Sequence, residues 1–140
     1  MPAKDLYHEV CVRALEKDGW TITHDPLTIP FDGTELHIDI GAERLIGAER
    51  NGERIAVEIK SFIKPSPMQD LKESIGQYIL YGDVMADSKE NSDRTLFLAV
   101  REETYRDVFS GEQTQRLLYH RNIRLLVFEP EKEVITKWIK

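Results

Sequence analysis

The feature that most constrains this chain is a pair of alternating segments joined by Asn51-Gly52. The stretch "ELHIDIGAERLIGAERNGERIAVEIKSF" alternates apolar and polar residues on both sides of that dipeptide, and Asn-Gly strongly favours a two-residue β-turn. We therefore predict two antiparallel strands over about 36–49 and 53–62. Ile55, Val57 and Ile59 share one face of the second strand, so that face is predicted to be buried.

The elements around this hairpin predict an α/β fold. "AKDLYHEVCVRALEKDGW" has the apolar spacing of an amphipathic helix ending near Gly19, and "MQDLKESIGQYILYGDVMA" predicts a second helix. "TLFLAV" and "IRLLVFEP" read as buried strands on either side of a helical stretch, with a last short strand in "EVITKWIK". The order predicts a three-layer sandwich around a mixed β-sheet. With 140 residues, the chain suits a single domain, 1–140.

Composition excludes several classes of protein. The net charge of −6 argues against a protein that coats nucleic acid nonspecifically, since such binding depends on Lys and Arg. No apolar run reaches the roughly 18 residues that cross a bilayer, and the amino terminus lacks the pattern of a signal peptide. We expect a cytoplasmic protein without a membrane partner. Cys11 is the only cysteine, which excludes an internal disulfide, and its place in the helical apolar pattern predicts a core residue.

The polar face of the second strand raises the question of function. Glu58 and Lys60 lie together on the face opposite the aliphatic residues. A two-residue turn sets the register so that Glu43 faces Lys60 and Asp39 faces Lys64. Asp39, Glu43, Glu58 and Lys60 are therefore predicted to point to one side of the sheet.

Three carboxylates gathered beside one lysine favour a metal site. Like charges oppose each other's ionisation unless a cation is bound. Mg²⁺ prefers oxygen ligands and can activate a water for phosphoryl chemistry, and a lysine can neutralise the charge that develops on the phosphate. The alternative is a plain ion pair between Glu43 and Lys60 on a solvated sheet face.

These residues resemble the PD-(D/E)XK nuclease superfamily. The superfamily places an acid on one hairpin strand and E-x-K on the next, to which "ID" at 38–39 and "EIK" at 58–60 correspond. The resemblance implies a restriction-endonuclease-like core, with Asp39 and Glu58 as ligands of Mg²⁺ or Mn²⁺ and Lys60 as the catalytic lysine. Asp39 and Glu58 are separated by 18 residues. A bulge or bend near a glycine would bring them together; otherwise Glu43 is the better placed acid.

The same resemblance suggests further site residues on the helices. The first helix of the superfamily often supplies an acid, for which Glu9 is the candidate. Some branches place a glutamine near the metal on the helix after E-x-K, and Gln77 in "GQYILY" corresponds to it. Glu9 reads equally well as an ordinary solvated helix residue.

A closer resemblance covers nearly the whole chain. "KDGWTITHDPLTI", "LHIDIGAERLIGAERNGERIAVEIKSF", "GQYILY" and "VITKWIK" resemble the XisH family of cyanobacterial excision controlling factors. The resemblance implies a role in controlling excision of the fdxN element during heterocyst development, with DNA, a site-specific recombinase and other excision factors as partners. Because so small a chain needs help to encircle duplex DNA, a homodimer or partner subunit is also expected.

The sequence leaves two main functions open. The first is a Mg²⁺-dependent DNA endonuclease, and the second is a non-catalytic regulatory partner that keeps a nuclease-like fold. A plain structural α/β domain with surface ion pairs is the third and weakest interpretation. Catalysis requires Lys60, whereas binding tolerates its loss.

Overall fold

A computed structural model describes residues 3–36, 44–62 and 65–140. Its helices are α1 (Ala3–Lys17), α2 (Pro67–Ala86), α3 (Glu102–Thr104), which continues as a π-helix (Tyr105–Phe109), and α4 (Glu112–His120). Its strands are β1 (Thr21–His24), β2 (Ile29–Phe31), β3 (Thr34–Leu36), β4 (Arg44–Arg50), β5 (Glu53–Ile59), β6 (Thr95–Arg101), β7 (Leu125–Glu129) and β8 (Val134–Ile139). Within these ranges, no helix has the length and apolar character that crossing a membrane requires.

Six strands form one mixed sheet in the order β1-β4-β5-β6-β7-β8. Strands β5, β6 and β7 run parallel to one another, whereas β1, β4 and β8 join by antiparallel pairing. Strands β2 and β3 form a separate two-stranded sheet. The mixed α/β architecture predicted from the sequence is confirmed.

The central hairpin has the predicted turn and register. Arg50 pairs with Glu53 and Arg44 with Ile59, as a two-residue turn requires. Asn51 and Gly52 have φ values of 52° and 82°, the left-handed conformations that a type I′ turn demands. The second strand ends at Ile59 rather than 62. The first is described only from Arg44 onwards, because residues 37–43 lie outside the described ranges.

Both faces of the sheet are buried. Helix α1 packs on one face, where Val10 and Leu15 join Ile55 and Val57 in one apolar cluster. Helix α2 packs on the other face, in a cluster with Ala56 and residues of β6 and β7. The alternative of a solvated face of β5 is therefore wrong: Ala56 and Glu58 are buried on the side that α2 covers, as in the doubly covered strands of parallel sheets.

Cys11 lies in the core as predicted. Its side chain is fully buried in the layer between α1 and the sheet. Burial raises the pKa of the Cys11 thiol well above its usual range, because the thiolate loses its hydration. The residue therefore stays a neutral thiol and serves packing.

A buried arginine, Arg94, ties β5 to the loop between α2 and β6. The Arg94 guanidinium donates hydrogen bonds to the Ile55 carbonyl at 2.9 Å and to Asn91 Oδ1 at 2.8 Å. It lies against Gly47, where an added Cβ would be only 3.0 Å from Arg94 Nη1. Gly76 differs, since a Cβ there would meet nothing within 4 Å. Close approach of helix and sheet therefore does not explain Gly76.

We expect Gly47→Ala to destabilise the protein by about 1–3 kcal/mol, because the new methyl group would press on a guanidinium held by two buried hydrogen bonds. The free energy of unfolding, measured by urea denaturation, checks this. Gly76→Ala is the matched control and should stabilise by about 0.5–1 kcal/mol, because alanine is the better residue inside an exposed helix. Equal effects of the two substitutions would contradict the close packing at Gly47.

Candidate functional site

The candidate site lies where parallel strands end. Strands β5, β6 and β7 run in the same direction, so their carboxyl ends meet at one edge of the sheet, the usual place for ligands in α/β folds. Glu58 is the last residue but one of β5, and Lys60 directly follows the strand. The Lys60 amide donates to the Ala99 carbonyl at 3.0 Å, which extends the pairing with β6 by one residue.

Helix α2 closes over this edge and supplies a second acid. Lys60 Nζ lies 3.3 Å from Glu73 Oε2, and Gln69 Nε2 donates to Glu73 Oε1 at 3.3 Å. Asp70 and Gln77 lie about one turn before and after Glu73 and so share its side of the helix. The site therefore has a sheet half, Glu58 and Lys60, and a helix half carried by α2.

The charges of this group are deeply buried. The exposed fractions are 0% for Glu58, 2% for Lys60 and 1% for Asp70, while Glu73 keeps 32% of its side chain exposed. Removing an ionised group from water costs on the order of several kcal/mol unless partners compensate. Buried ionisable groups in an otherwise apolar layer are rare, and their concentration at one sheet edge marks a candidate functional site.

The start of α2 is fixed by its own sequence. Ser66 is the N-cap, and its Oγ accepts a hydrogen bond from the Gln69 amide at 3.2 Å. Pro67 follows at the first helical position, where its missing N–H costs nothing. This cap places Asp70 in the first turn of the helix, where the helix dipole favours a negative charge. The Ser74 hydroxyl, also buried, donates to the Asp70 carbonyl at 2.7 Å.

Arg101 braces the segment that follows Lys60. It stands at the carboxyl end of β6, and its Nη2 donates to the Ser61 carbonyl at 2.7 Å. Its guanidinium carbon lies 4.4 Å from the centroid of the Tyr7 ring, a cation–π distance. Through this contact α1 supports the candidate site from the opposite layer.

The predicted site residues are only partly brought together. Glu58 and Lys60 lie between β5 and α2, and the half-buried Gln77 lies on the side of α2 that carries Glu73. Glu9 does not join them, because its side chain is 56% exposed and forms an ion pair with Arg13 at 3.7 Å. Asp39 and Glu43 lie outside the described residues. The alternative that Lys60 lies on a solvated sheet face is wrong, since Lys60 is buried and bonded to Glu73.

Of the three predicted metal ligands, only Glu58 lies within the described residues. No group of three His, Cys, Asp or Glu side chains there could hold a metal ion. The donor chemistry of the sheet edge, a buried carboxylate beside a buried lysine, suits a hard cation that takes oxygen ligands. A complete metal shell would need carboxylates from residues 37–43, where Asp39 and Glu43 stand in the sequence.

Sequence reasoning missed Asp70, Glu73 and Arg101. The signal for the two acids was a polar stripe on a mainly apolar helix, since Asp70, Glu73 and Gln77 follow the i, i+3, i+7 spacing. The signal for Arg101 was its position, a charge at the end of the apolar run "TLFLAV". Residues at the carboxyl end of a parallel strand lie at the ligand-binding edge.

Tyr78 anchors α2 next to this group. Its hydroxyl donates to the Leu96 carbonyl at 2.8 Å and accepts from the Arg124 amide at 3.1 Å. Burial raises the pKa of Tyr78, and the negative charge of Glu58 adds to this effect, while contacts with Arg124 lower it. The hydroxyl is therefore held in its neutral form.

We expect the stabilising effect of Tyr78 to be lost at high pH. Because the folded state raises the pKa of Tyr78, its contribution is complete below the unfolded value of about 10 and falls as the pH rises through the folded value. Tyr78→Phe should cost about 1–2 kcal/mol at pH 8, when a buried donor and acceptor lose their partner. Urea denaturation at pH 8–11 should show this difference shrinking above pH 10, and a constant difference would contradict the proposed protonation state.

Comparisons with known proteins place the chain in a family. The family model described as XisH protein matches residues 1–136. An XisH family protein from Nostoc punctiforme PCC 73102, known from a crystal structure, is 39% identical, with a TM-score of 0.87 over 97% of this chain and 100% of that chain. A crystallised fdxN element excision controlling factor protein from Anabaena variabilis is 40% identical, with a TM-score of 0.86 over 97% of this chain and 99% of that chain.

The comparison with curated proteins found no match. The family model nevertheless spans almost all of its length, and both crystal structures share the whole fold at close to 40% identity. The chain therefore belongs to the XisH family.

Proposed function

We propose that this protein is a factor controlling excision of a DNA element and that it acts through a metal-dependent DNA endonuclease site. The name of the Anabaena variabilis relative, an fdxN element excision controlling factor, supports the first part. The observation that carries the second part is the burial of Glu58 and Lys60 at the carboxyl edge of the parallel strands. A fold seldom buries two charges at such an edge without a functional reason.

The residues have distinct roles in this proposal. Glu58 would bind Mg²⁺ or Mn²⁺ together with Asp39 or Glu43. The bound cation would supply activation of a water and stabilisation of the charged phosphate. Lys60 would neutralise the charge that develops on the attacked phosphate. Glu73, 3.3 Å from Lys60, would hold the ammonium group in place until the DNA phosphate replaces it as partner.

Lys60→Met tests the catalytic role with little change of side-chain volume. We expect cleavage of supercoiled or branched DNA in Mg²⁺ or Mn²⁺ to fall about 100-fold or more, as when a group that stabilises transition-state charge is removed. EDTA should abolish the cleavage. Lys72→Met, which removes an exposed lysine of α2, is the matched control and should cleave normally. Undiminished cleavage by a folded Lys60→Met protein would refute the endonuclease proposal.

The second acid can be identified by amide substitutions. Glu58→Gln should abolish cleavage, because the metal would lose its buried carboxylate ligand. Of Asp39→Asn and Glu43→Gln, the one at the metal should abolish cleavage as well, while the other should change it less than tenfold. Rates measured over a range of Mn²⁺ concentrations would separate weakened metal binding from a lost reaction step. Full cleavage by all three variants would contradict a metal held by these acids.

One observation favours the alternative of a non-catalytic regulatory partner. Lys60 is only 2% exposed and is already bonded to Glu73. A DNA phosphate therefore reaches it only after α2 or the segment between Lys60 and α2 moves. In this alternative the buried group would stabilise the fold, and the protein would act by binding a recombinase, another excision factor or DNA. An excision assay separates the two, since Lys60→Met would then leave excision intact.

A further inference from the structure

A groove towards the carboxyl end of α2 combines an apolar floor with an acidic rim. It has a volume of about 600 Å³ and lies between the tip of the β2–β3 hairpin, the carboxyl-terminal half of α2 and the loop after α2. Phe31 and Leu80 contribute apolar surface, and Asp32, Asp83, Asp87 and Glu90 contribute carboxylates. We call these six residues the acidic groove. With a rise of 1.5 Å per residue, Asp83 lies about 20 Å along α2 from Asp70.

The apolar residues of the acidic groove are unusually exposed. Phe31 is 37% exposed and Leu80 is 40% exposed, and Ile79 beside Leu80 is 42% exposed. These are three of the five large apolar side chains that the structure leaves exposed within its described ranges. A concentration of exposed apolar surface at one place marks an interaction surface rather than random exposure.

The acidic groove gathers four carboxylates at its rim. Within the described residues, Asp32, Asp83, Asp87 and Glu90 form no ion pair with another side chain of the chain. Among the described residues, Lys89 is the one cation that lines the groove. Four carboxylates around exposed apolar groups repel each other, and a cationic partner relieves that repulsion.

The walls of the acidic groove are held in place before any partner binds. Ile29, which precedes the groove residues of the hairpin, is fully buried in the core beneath α2. The Glu90 carbonyl accepts a hydrogen bond from Arg54 Nη1 at 2.9 Å, which ties the loop to β5. A preformed groove binds with a smaller entropic cost than a flexible surface.

We propose that the acidic groove binds a basic, amphipathic segment of a partner protein. Lys or Arg side chains of the segment would pair with the rim, and an aliphatic or aromatic side chain would anchor it between Phe31 and Leu80, as helix-in-groove recognition uses apolar anchors flanked by charges. DNA is not the occupant, because four carboxylates repel phosphates.

A second copy of the chain fits the acidic groove less well. Its net charge of −6 opposes self-association through an acidic surface. A partner that brings uncompensated cations is therefore the better match.

Selection from a random 12-residue peptide phage library against the full-length protein tests this proposal. We expect enrichment of peptides that combine Lys or Arg with aliphatic or aromatic residues and lack Asp and Glu. Fluorescence anisotropy of a selected peptide should show at least a tenfold loss of affinity for the Asp83→Lys/Asp87→Lys variant. Leu80→Gln should weaken binding without changing the charge, which separates anchoring from simple attraction.

The matched control changes the net charge by the same amount through residues outside the acidic groove. Glu16→Lys/Glu131→Lys reverses two exposed acids outside the acidic groove and should bind the peptide like the original protein. The proposal is overturned if no peptide is enriched, if the selected peptides are acidic, or if both double variants bind alike. Self-association of the protein that Asp83→Lys/Asp87→Lys abolishes, measured by sedimentation velocity, would instead assign the groove to a second copy and overturn the proposal.

Discussion

The burial of charge between β5 and α2 is the constraint on which the rest of this structure depends. Glu58 and Lys60 occupy positions that neighbouring strands fill with apolar side chains, and both are almost fully removed from water. An ionised group in that layer is stable only beside other charged or polar groups. Helix α2 must therefore present a polar stripe at this point and an apolar surface elsewhere. Its sequence does so, with Asp70, Glu73 and Gln77 on the stripe and Leu71 and Tyr78 in the core.

Helix α2 thus has two different tasks along its length. Its first turns are tied to the sheet edge by the Ser66 cap and by the contact between Glu73 and Lys60. Its last turns face the acidic groove with Leu80 and Asp83. Tyr78 stands between them and fixes the helix to β6 and to the start of β7 through its hydroxyl. A helix held so firmly at its centre is a rigid link between the two surfaces, because packed elements shift as units rather than bend.

The sequence predicted the fold better than the candidate site, for physical reasons. Asn51-Gly52 and the alternation around it determine the turn and register locally, so the pairing of β4 with β5 was predictable. The burial of Glu58 was not, because alternation alone does not tell a solvated face from one that a distant helix covers. For the same reason, the sequence pattern did not decide whether Glu9 joins the site or lies on the solvated surface of α1. The positions of Asp70 and Glu73 in the site were not predicted, because they depend on how α2 packs across the sheet, which is a tertiary property.

The charge distribution suggests how the proposed functions coexist in one small chain. An acidic protein is repelled from DNA at most of its surface, so DNA can approach only where cations are concentrated. At the sheet edge the cations Lys60 and Arg101 stand among the carboxylates Glu58 and Glu73, and the acidic groove begins at Leu80, about 10 Å along α2 from Glu73. A basic partner seated in that groove would neutralise part of the repulsion and would add cations of its own near the DNA. Partner binding and DNA binding would then favour each other through electrostatics alone, without a change of fold.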